Sequence, residues 1–63
     1  MIFKKGDLVI YDNPILQKEG VFVSYLPNTE SALIDFEDKV FNTPCMIKYI
    51  RPTMETLLDR LCE

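Results

Sequence analysis

The sequence contains no histidine and no tryptophan, and it has only two glycines in 63 residues. Without histidine the chain lacks the commonest general base and the imidazole ligand of most zinc sites. Two glycines cannot form the glycine-rich loop that cradles a phosphate, so Lys4-Lys5-Gly6-Asp7 is interpreted as the turn before a first strand. The sequence therefore predicts no catalytic residue, no cofactor and no metal.

The two cysteines, Cys45 and Cys62, are too far apart for a Cys-x-x-Cys pair. We expect free thiols in a reducing compartment, with a disulfide between them as the alternative. No segment approaches the roughly 20 apolar residues of a membrane span, and no apolar signal segment follows the N-terminal lysines. These observations predict a cytoplasmic protein.

The chain is acidic, with ten Asp and Glu against seven Lys and Arg and a net charge of −3. Nucleic-acid-binding domains usually carry a basic patch, whereas here only Lys4 and Lys5 are adjacent. A nucleic-acid partner is therefore disfavoured. Nucleic-acid binding would require a basic face on which five residues converge: Lys4, Lys5, Lys39, Lys48 and Arg51.

Turn residues divide the first part of the chain into short extended segments. The β-branched and aromatic residues between the turns predict five strands, over residues 8–11, 21–26, 32–37, 40–42 and 45–50. Val9 and Tyr11 are expected to point inward. Short strands in this number, separated by turns, favour a small antiparallel barrel in a single domain.

A different periodicity follows Arg51-Pro52. Apolar residues at Met54, Leu57, Leu58, Leu61 and Cys62 have the spacing of an amphipathic helix, with Thr53 as N-cap. A helix of roughly ten residues is not stable alone, so its apolar side must pack on something. We expect it to pack on the chain's own sheet, with a partner surface as the alternative.

The order of these signals resembles SH3-like small barrels of the KOW, Tudor and CarD-type groups. The resemblance is carried by FKKGDLV at residues 3–9, GVFV at 20–23, ALIDF at 32–36 and IRP at 50–52. It implies a five-stranded antiparallel SH3-like barrel over residues 1–52, with the amphipathic helix of residues 53–63 packed on it. It also implies a binding function. A Tudor-type aromatic cage would need Tyr11, Tyr25 and Phe36 to converge, and CarD-type domains bind RNA polymerase through protein contacts.

Apolar residues on both faces of the predicted strands exceed what one small barrel can bury. If Val21 and Val23 face inward, Phe22 and Leu26 lie on the outer face, and Leu33 shares a face with Asp35. The acidic residues near Asp35 are interpreted as the solvated face of a strand rather than a catalytic pair. The candidate partner-binding residues are Phe22, Leu26, Leu33, Asp35, Met54 and Leu58.

These features together predict a non-enzymatic binding module that contacts another protein. Its size, acidity and start at Met1 suggest a complete small gene product of a bacterium or phage that modulates a host protein. Two alternatives remain open at this point: a nucleic-acid-binding small barrel, and a structural subunit that forms a homodimer or larger homo-oligomer.

Overall fold

The computed structural model describes residues 2–62, so Met1 and Glu63, the outermost positions of the predicted barrel and helix segments, lie outside the described residues. The protein is mainly β, with five strands and one C-terminal helix. The elements are β1 (Leu8–Asp12), β2 (Gln17–Tyr25), β3 (Ser31–Asp35), β4 (Thr43–Met46), β5 (Ile50–Pro52) and α1 (Met54–Leu61), with a 3-10 turn at Ile47–Tyr49.

All five strands belong to one antiparallel sheet in the order β4-β3-β2-β1-β5. Val9, the second residue of β1, lies opposite Gly20 of β2 on one side and Pro52 of β5 on the other. The pairing of β2 with β3 shifts register between Phe22 and Ser24, which forms a bulge. A bulge of this kind increases the local bend and twist of a strand.

The sheet is curled, although its hydrogen-bond ladder within residues 2–62 leaves β4 and β5 as two edges. In a flat sheet, four spacings of about 4.8 Å would separate these edges by roughly 19 Å. The chain connects them with only the three residues of the 3-10 turn. Met46 and Ile50 can therefore lie at most about 14 Å apart, which a flat sheet would not allow.

One face of the curled sheet encloses the core. Val9, Ala32 and Ile34 are completely buried, and Tyr11 packs against the cluster from the side, so the prediction that Val9 and Tyr11 point inward is confirmed. The full cluster consists of Phe3, Val9, Phe22, Ala32, Ile34, Phe36, Cys45 and Ile50. The outward direction of Asp35, between two buried neighbours, agrees with its interpretation as a solvated strand residue.

The predicted turns before β1 and after β2 are both present. Gly6 has a φ of +96°, and the turn is closed by a hydrogen bond from the Asp7 amide to the Lys4 carbonyl. After β2, Asn28 adopts a φ of +62°, a left-handed conformation that asparagine tolerates better than most residues. Gly6 and Asn28 therefore supply the positive φ angles at these two turns.

Gly20 is required for a different reason, because the core closes directly over it. A Cβ atom at this position would lie 2.6 Å from Ile34 Cγ2 and 2.8 Å from Phe36 Cδ1. The absence of a side chain therefore lets β3 and the residue after it approach β2.

Three of the five predicted strands differ from the structure. The strand β2 begins at Gln17 rather than at residue 21, because Asn13 Oδ1 accepts hydrogen bonds from the amides of Ile15 and Leu16 and closes a tight turn. Residues 40–42 form no strand, and Val40 and Phe41 are exposed. The predicted last strand, residues 45–50, is instead divided between β4, the 3-10 turn and the start of β5.

Candidate functional site

The helix α1 is attached to the sheet by its polar side. Thr53 is the N-cap, as predicted, and its hydroxyl accepts a 3.2 Å hydrogen bond from the Thr56 amide. The Thr56 hydroxyl in turn donates a 2.7 Å bond to the carbonyl of Leu8, which also lies 3.3 Å from the hydroxyl and the amide of Thr53. Thr56 is the buried residue of the helix.

An ion pair fixes the last turn of the helix to the turn before β1. The guanidinium of Arg60 donates to the carboxylate of Asp7, and each side chain is 18% exposed. Asp7 Oδ2 also accepts a 2.8 Å hydrogen bond from the Lys4 amide, so the carboxylate is held from two directions. We call the group Asp7, Leu8, Thr53, Thr56 and Arg60 the polar clasp.

The apolar side of α1 faces away from the sheet. Met54, Leu58 and Leu61 are 70%, 55% and 81% exposed, and Leu57 is 37% exposed. At 3.6 residues per turn, Thr56 and Leu58 project about 160° apart, so a helix held by Thr56 turns Leu58 outward. The expectation that this side packs on the chain's own sheet is wrong. We call Met54, Leu57, Leu58 and Leu61 the helix stripe.

The charges beside the helix stripe are acidic. Glu55 and Asp59 are exposed, lie four positions apart on α1, and line a small polar cleft together with Gly6 and Asp7. Arg60, the basic residue in the last turn, is engaged by the clasp. The stripe therefore combines an apolar centre with an acidic margin.

The remaining sequence candidates do not form one surface with the stripe. Phe22 is 2% exposed and its ring packs 4.8 Å from that of Tyr25, so it is a core residue and has no surface to offer a partner. Leu26 and Leu33 are half-buried and Asp35 is exposed. Leu33 and Asp35 lie on β3, whereas α1 packs mainly against β1 and β5. Met54 and Leu58 alone among the six candidates share the stripe.

A second exposed apolar surface lies at the opposite end of β1. Ile15 and Leu16 are 94% and 51% exposed in the turn after β1, and Val40 and Phe41 are 92% and 83% exposed in the loop after β3. An ion pair between Lys18 and Asp38 connects the two segments. We call Ile15, Leu16, Val40 and Phe41 the loop patch.

The loop patch borders an apolar hollow of about 140 Å³. The Lys18 ammonium lies 5.1 Å from the centre of the Phe36 ring, within the range of a cation–π contact. The hydrogen bond from Lys18 lowers the pKa of the exposed Asp38 carboxyl below its usual value. The hollow is lined by Tyr11, Leu16, Lys18, Phe36, Lys39, Thr43, Pro44 and Cys45.

The aromatic residues named for a Tudor-type cage do not converge. Tyr11 and Phe36 are neighbours with ring centroids 6.3 Å apart, and Tyr49 is 6.1 Å from Tyr11. Tyr25 instead packs on Phe22, and its hydroxyl accepts a hydrogen bond from the Phe3 amide. Tyr25, the third residue that such a cage would need, therefore belongs to a different cluster.

The basic residues are distributed over separate parts of the surface. Lys4 and Lys5 lie in the turn before β1, at the end that carries the clasp, whereas Lys39 lies beside the hollow at the other end. Lys48 lies 5.1 Å from the centre of the Tyr49 ring, and Arg51 lies 3.7 Å from a carboxylate oxygen of Asp12. They do not form a single basic face.

The two cysteines are in different environments. Cys45 is buried beneath the hollow and Cys62 is exposed after the last turn of α1, and both are free thiols. Burial raises the pKa of the Cys45 thiol above its ordinary value. The thiol of Cys45 therefore ionises less readily than an ordinary cysteine thiol.

Comparison with protein-family models, curated proteins and solved structures finds no match to this chain. Within residues 2–62, no helix has the length and apolar character needed to cross a membrane. The same residues contain no group of three Cys, Asp or Glu side chains placed to hold a metal ion.

Sequence reasoning missed the polar clasp and the loop patch. The helix spacing identifies the apolar residues of α1 but does not say which side meets the sheet. A usable signal was the placement of Thr56 and Arg60 on the side opposite Leu58, with Asp7 as an acid in the turn before β1. The loop patch was missed because residues 40–42 were assigned to a strand.

Proposed function

We propose that the protein is a non-enzymatic binding module that acts through contact with a protein, and that the helix stripe is its contact surface. The observation that carries the proposal is the orientation of α1, whose polar side is buried and whose apolar side is exposed. A surface helix in a globular protein normally has the reverse arrangement. Contiguous exposed apolar residues with a polar margin are typical of interaction sites.

The clasp supports this proposal because it presents the stripe on a fixed scaffold. The hydrogen bond from Thr56 and the ion pair at Arg60 act at two turns of the same short helix, which restrains its rotation. A preformed helix has less conformational entropy to lose on binding than a flexible segment. Met54, Leu58 and Leu61 have the spacing of anchors that enter a hydrophobic groove.

For the fold itself, we propose the finer class of an SH3-like small barrel. The three-residue connection between the two edge strands supports it, since the sheet must curl to bring β4 and β5 together. The core supports it as well, because every strand contributes to one cluster. Solution of the structure by NMR tests this class, and an open, weakly curled sheet would contradict it.

A protein partner is favoured over nucleic acid by the charges. The stripe has Glu55 and Asp59 beside it, which would repel a phosphate backbone, and the lysines are separated on the surface. We further propose that the chain is a small bacterial or phage protein that modulates a host protein, a proposal supported by its size and acidity.

The test compares the proteins that are captured from a cell lysate by the immobilised wild type and by the immobilised Leu58→Glu variant. We expect the variant to lose the protein that the wild type retains, because a charge at an apolar anchor weakens such contacts by about tenfold or more. Ile2→Glu is the matched control, since Ile2 is exposed but lies outside the helix. The free energy of unfolding of both variants should lie within about 0.5 kcal/mol of the wild-type value. Equal capture by wild type and Leu58→Glu would exclude the stripe as the contact surface.

A further inference from the structure

The exposed apolar side chains are concentrated at the two ends of β1. Of the eleven large hydrophobic side chains exposed within residues 2–62, eight belong to the helix stripe or the loop patch. The helix stripe is attached near Leu8, where β1 begins, and the loop patch follows Asp12, where β1 ends. The molecule therefore has two apolar surfaces that cannot meet within one copy.

The hollow beside the loop patch carries cations that can face the acidic margin of the helix stripe. Glu55 and Asp59 lie beside the stripe. The wall of the hollow beside the loop patch carries the ammonium groups of Lys18 and Lys39. Lys18 is paired with Asp38, whereas Lys39 makes no ion pair within residues 2–62. Lys39 is thus the cation that the hollow offers to an acidic partner, although the exposed carboxylates of Glu37 and Asp38 lie in the same loop and Lys39 also interacts electrostatically with Asp38.

A symmetric pairing of two helix stripes fits these charges poorly. A two-fold axis that pairs two stripes with antiparallel helices places the acidic margin of one copy beside that of the other. Like charges in such positions are destabilising.

We propose that the helix stripe of one copy docks against the loop patch of a second copy, so that copies associate head to tail. This proposal depends on the role of the stripe in the proposed function and names its partner as the protein itself. A stripe side chain such as Leu58 enters the hollow, and Glu55 or Asp59 faces Lys39. The loops on either side of the hollow add apolar area that a helix–helix contact lacks.

A contact of this kind is heterologous, so each assembly keeps one unused stripe and one unused patch. Growth continues as an open chain unless the geometry closes a ring. The mean mass of the wild type should therefore increase with concentration.

Complementation between two defective variants tests the arrangement by sedimentation. Leu58→Glu removes the stripe and Phe41→Glu removes the patch. Each variant alone should be a monomer, with association weakened about tenfold or more. An equimolar mixture should form a 1:1 dimer, because one variant retains an intact patch and the other an intact stripe. Val40→Glu is a second patch variant at a 92% exposed position, and Ile2→Glu should associate like the wild type.

Charge reversal is an independent test of the head-to-tail contact. Lys39→Glu should weaken self-association, and mixing it with Asp59→Lys should restore growth with concentration, because both contacts between unlike variants then pair opposite charges; this association should weaken with added salt. A wild type that stays monomeric up to millimolar concentration overturns the proposal, as does a mixture of Leu58→Glu and Phe41→Glu that forms no dimer. If either result occurs while capture still depends on Leu58, the proposed function stands and the second copy is excluded as its partner. If neither capture nor association depends on Leu58, both proposals fail.

Discussion

The hydroxyl of Thr56 donates a 2.7 Å hydrogen bond to the backbone carbonyl of Leu8, 48 positions earlier in the chain. This bond orients α1, because it directs one side of the helix at β1 and the other at solvent. The arrangement shows that a short amphipathic helix can be positioned by hydrogen bonds and an ion pair while its apolar residues stay exposed.

Thr56→Val should destabilise the fold by about 1–2 kcal/mol, because the shape is kept while the buried donor to the Leu8 carbonyl is lost. Denaturant unfolding measures the change. Thr56→Ser is the matched control, since it keeps the hydroxyl and should recover part of the stability. Equal stability of the valine variant and the wild type would show that the hydrogen bond does not hold the helix.

The ion pair between Asp7 and Arg60 should show a coupling free energy of about 1–3 kcal/mol, since both side chains are largely buried and the bond is charge-assisted. A double-mutant cycle with Asp7→Asn and Arg60→Gln measures it. Asp12→Asn is the comparison. It removes an exposed pair with Arg51 at 3.7 Å, for which a change of about 0–1 kcal/mol is expected. Additive effects of the two clasp variants would contradict a direct interaction.

Gly20→Ala should destabilise the protein by about 1–3 kcal/mol, because the new Cβ would overlap Ile34 and Phe36 in the closed core. The matched variant is Gly6→Ala, whose Cβ meets no atom within 4 Å but has to adopt a φ of +96°. We expect a loss of roughly 1 kcal/mol there, from backbone strain alone. Thermal unfolding of both variants distinguishes packing from conformation, and a tolerated Gly20→Ala would contradict the contact.

The two thiols should react differently with an alkylating reagent. In the native protein we expect modification at Cys62 alone, because Cys45 is buried and burial raises the pKa of its thiol. The folded-state pKa of Cys45 then exceeds the unfolded one. Its contribution to stability is therefore complete below the unfolded-state pKa and is lost as the pH rises through the folded-state pKa.

Mass spectrometry of native and denatured samples checks the modification, and denaturant unfolding between neutral and alkaline pH checks the loss of stability. The denatured chain should be modified at both cysteines and the native chain at one. Rapid labelling of Cys45 at neutral pH in the native protein would show that the hollow opens.

Much of the fold follows from local signals in the sequence. The turn at Gly6, the inward direction of Val9 and the N-cap at Thr53 depend on neighbouring residues, and all three are confirmed. The last two strands were predicted poorly because residues 40–50 alternate weakly. The break at Ile47–Tyr49 is fixed by the need to connect two sheet edges, which is a property of the whole fold.

The candidate site was only partly predictable for a similar reason. Helical spacing identifies Met54 and Leu58 as one surface, but tertiary bonds decide whether that surface is covered. Phe22 was placed on the outer face by strict alternation from Val21. The alternation holds in this part of β2 but with the opposite phase, because Gly20 and Phe22 are buried whereas Val21 and Val23 are half-buried. Alternation in β2 identifies which residues share a face, but it does not say which of the two faces meets the core.

The dependence of α1 on the clasp links binding to folding. An isolated helix of eight residues is mostly unfolded in water, so the stripe exists as a continuous surface only when residues 7 and 60, at opposite ends of the chain, are joined. A ligand that recognises the helical stripe must therefore bind the native state selectively. Its free energy of binding adds to the stability of the entire domain, by about 2.7 kcal/mol at a hundredfold excess over its Kd. In a domain this small, where stability is marginal, such an increment would determine how long the native chain survives.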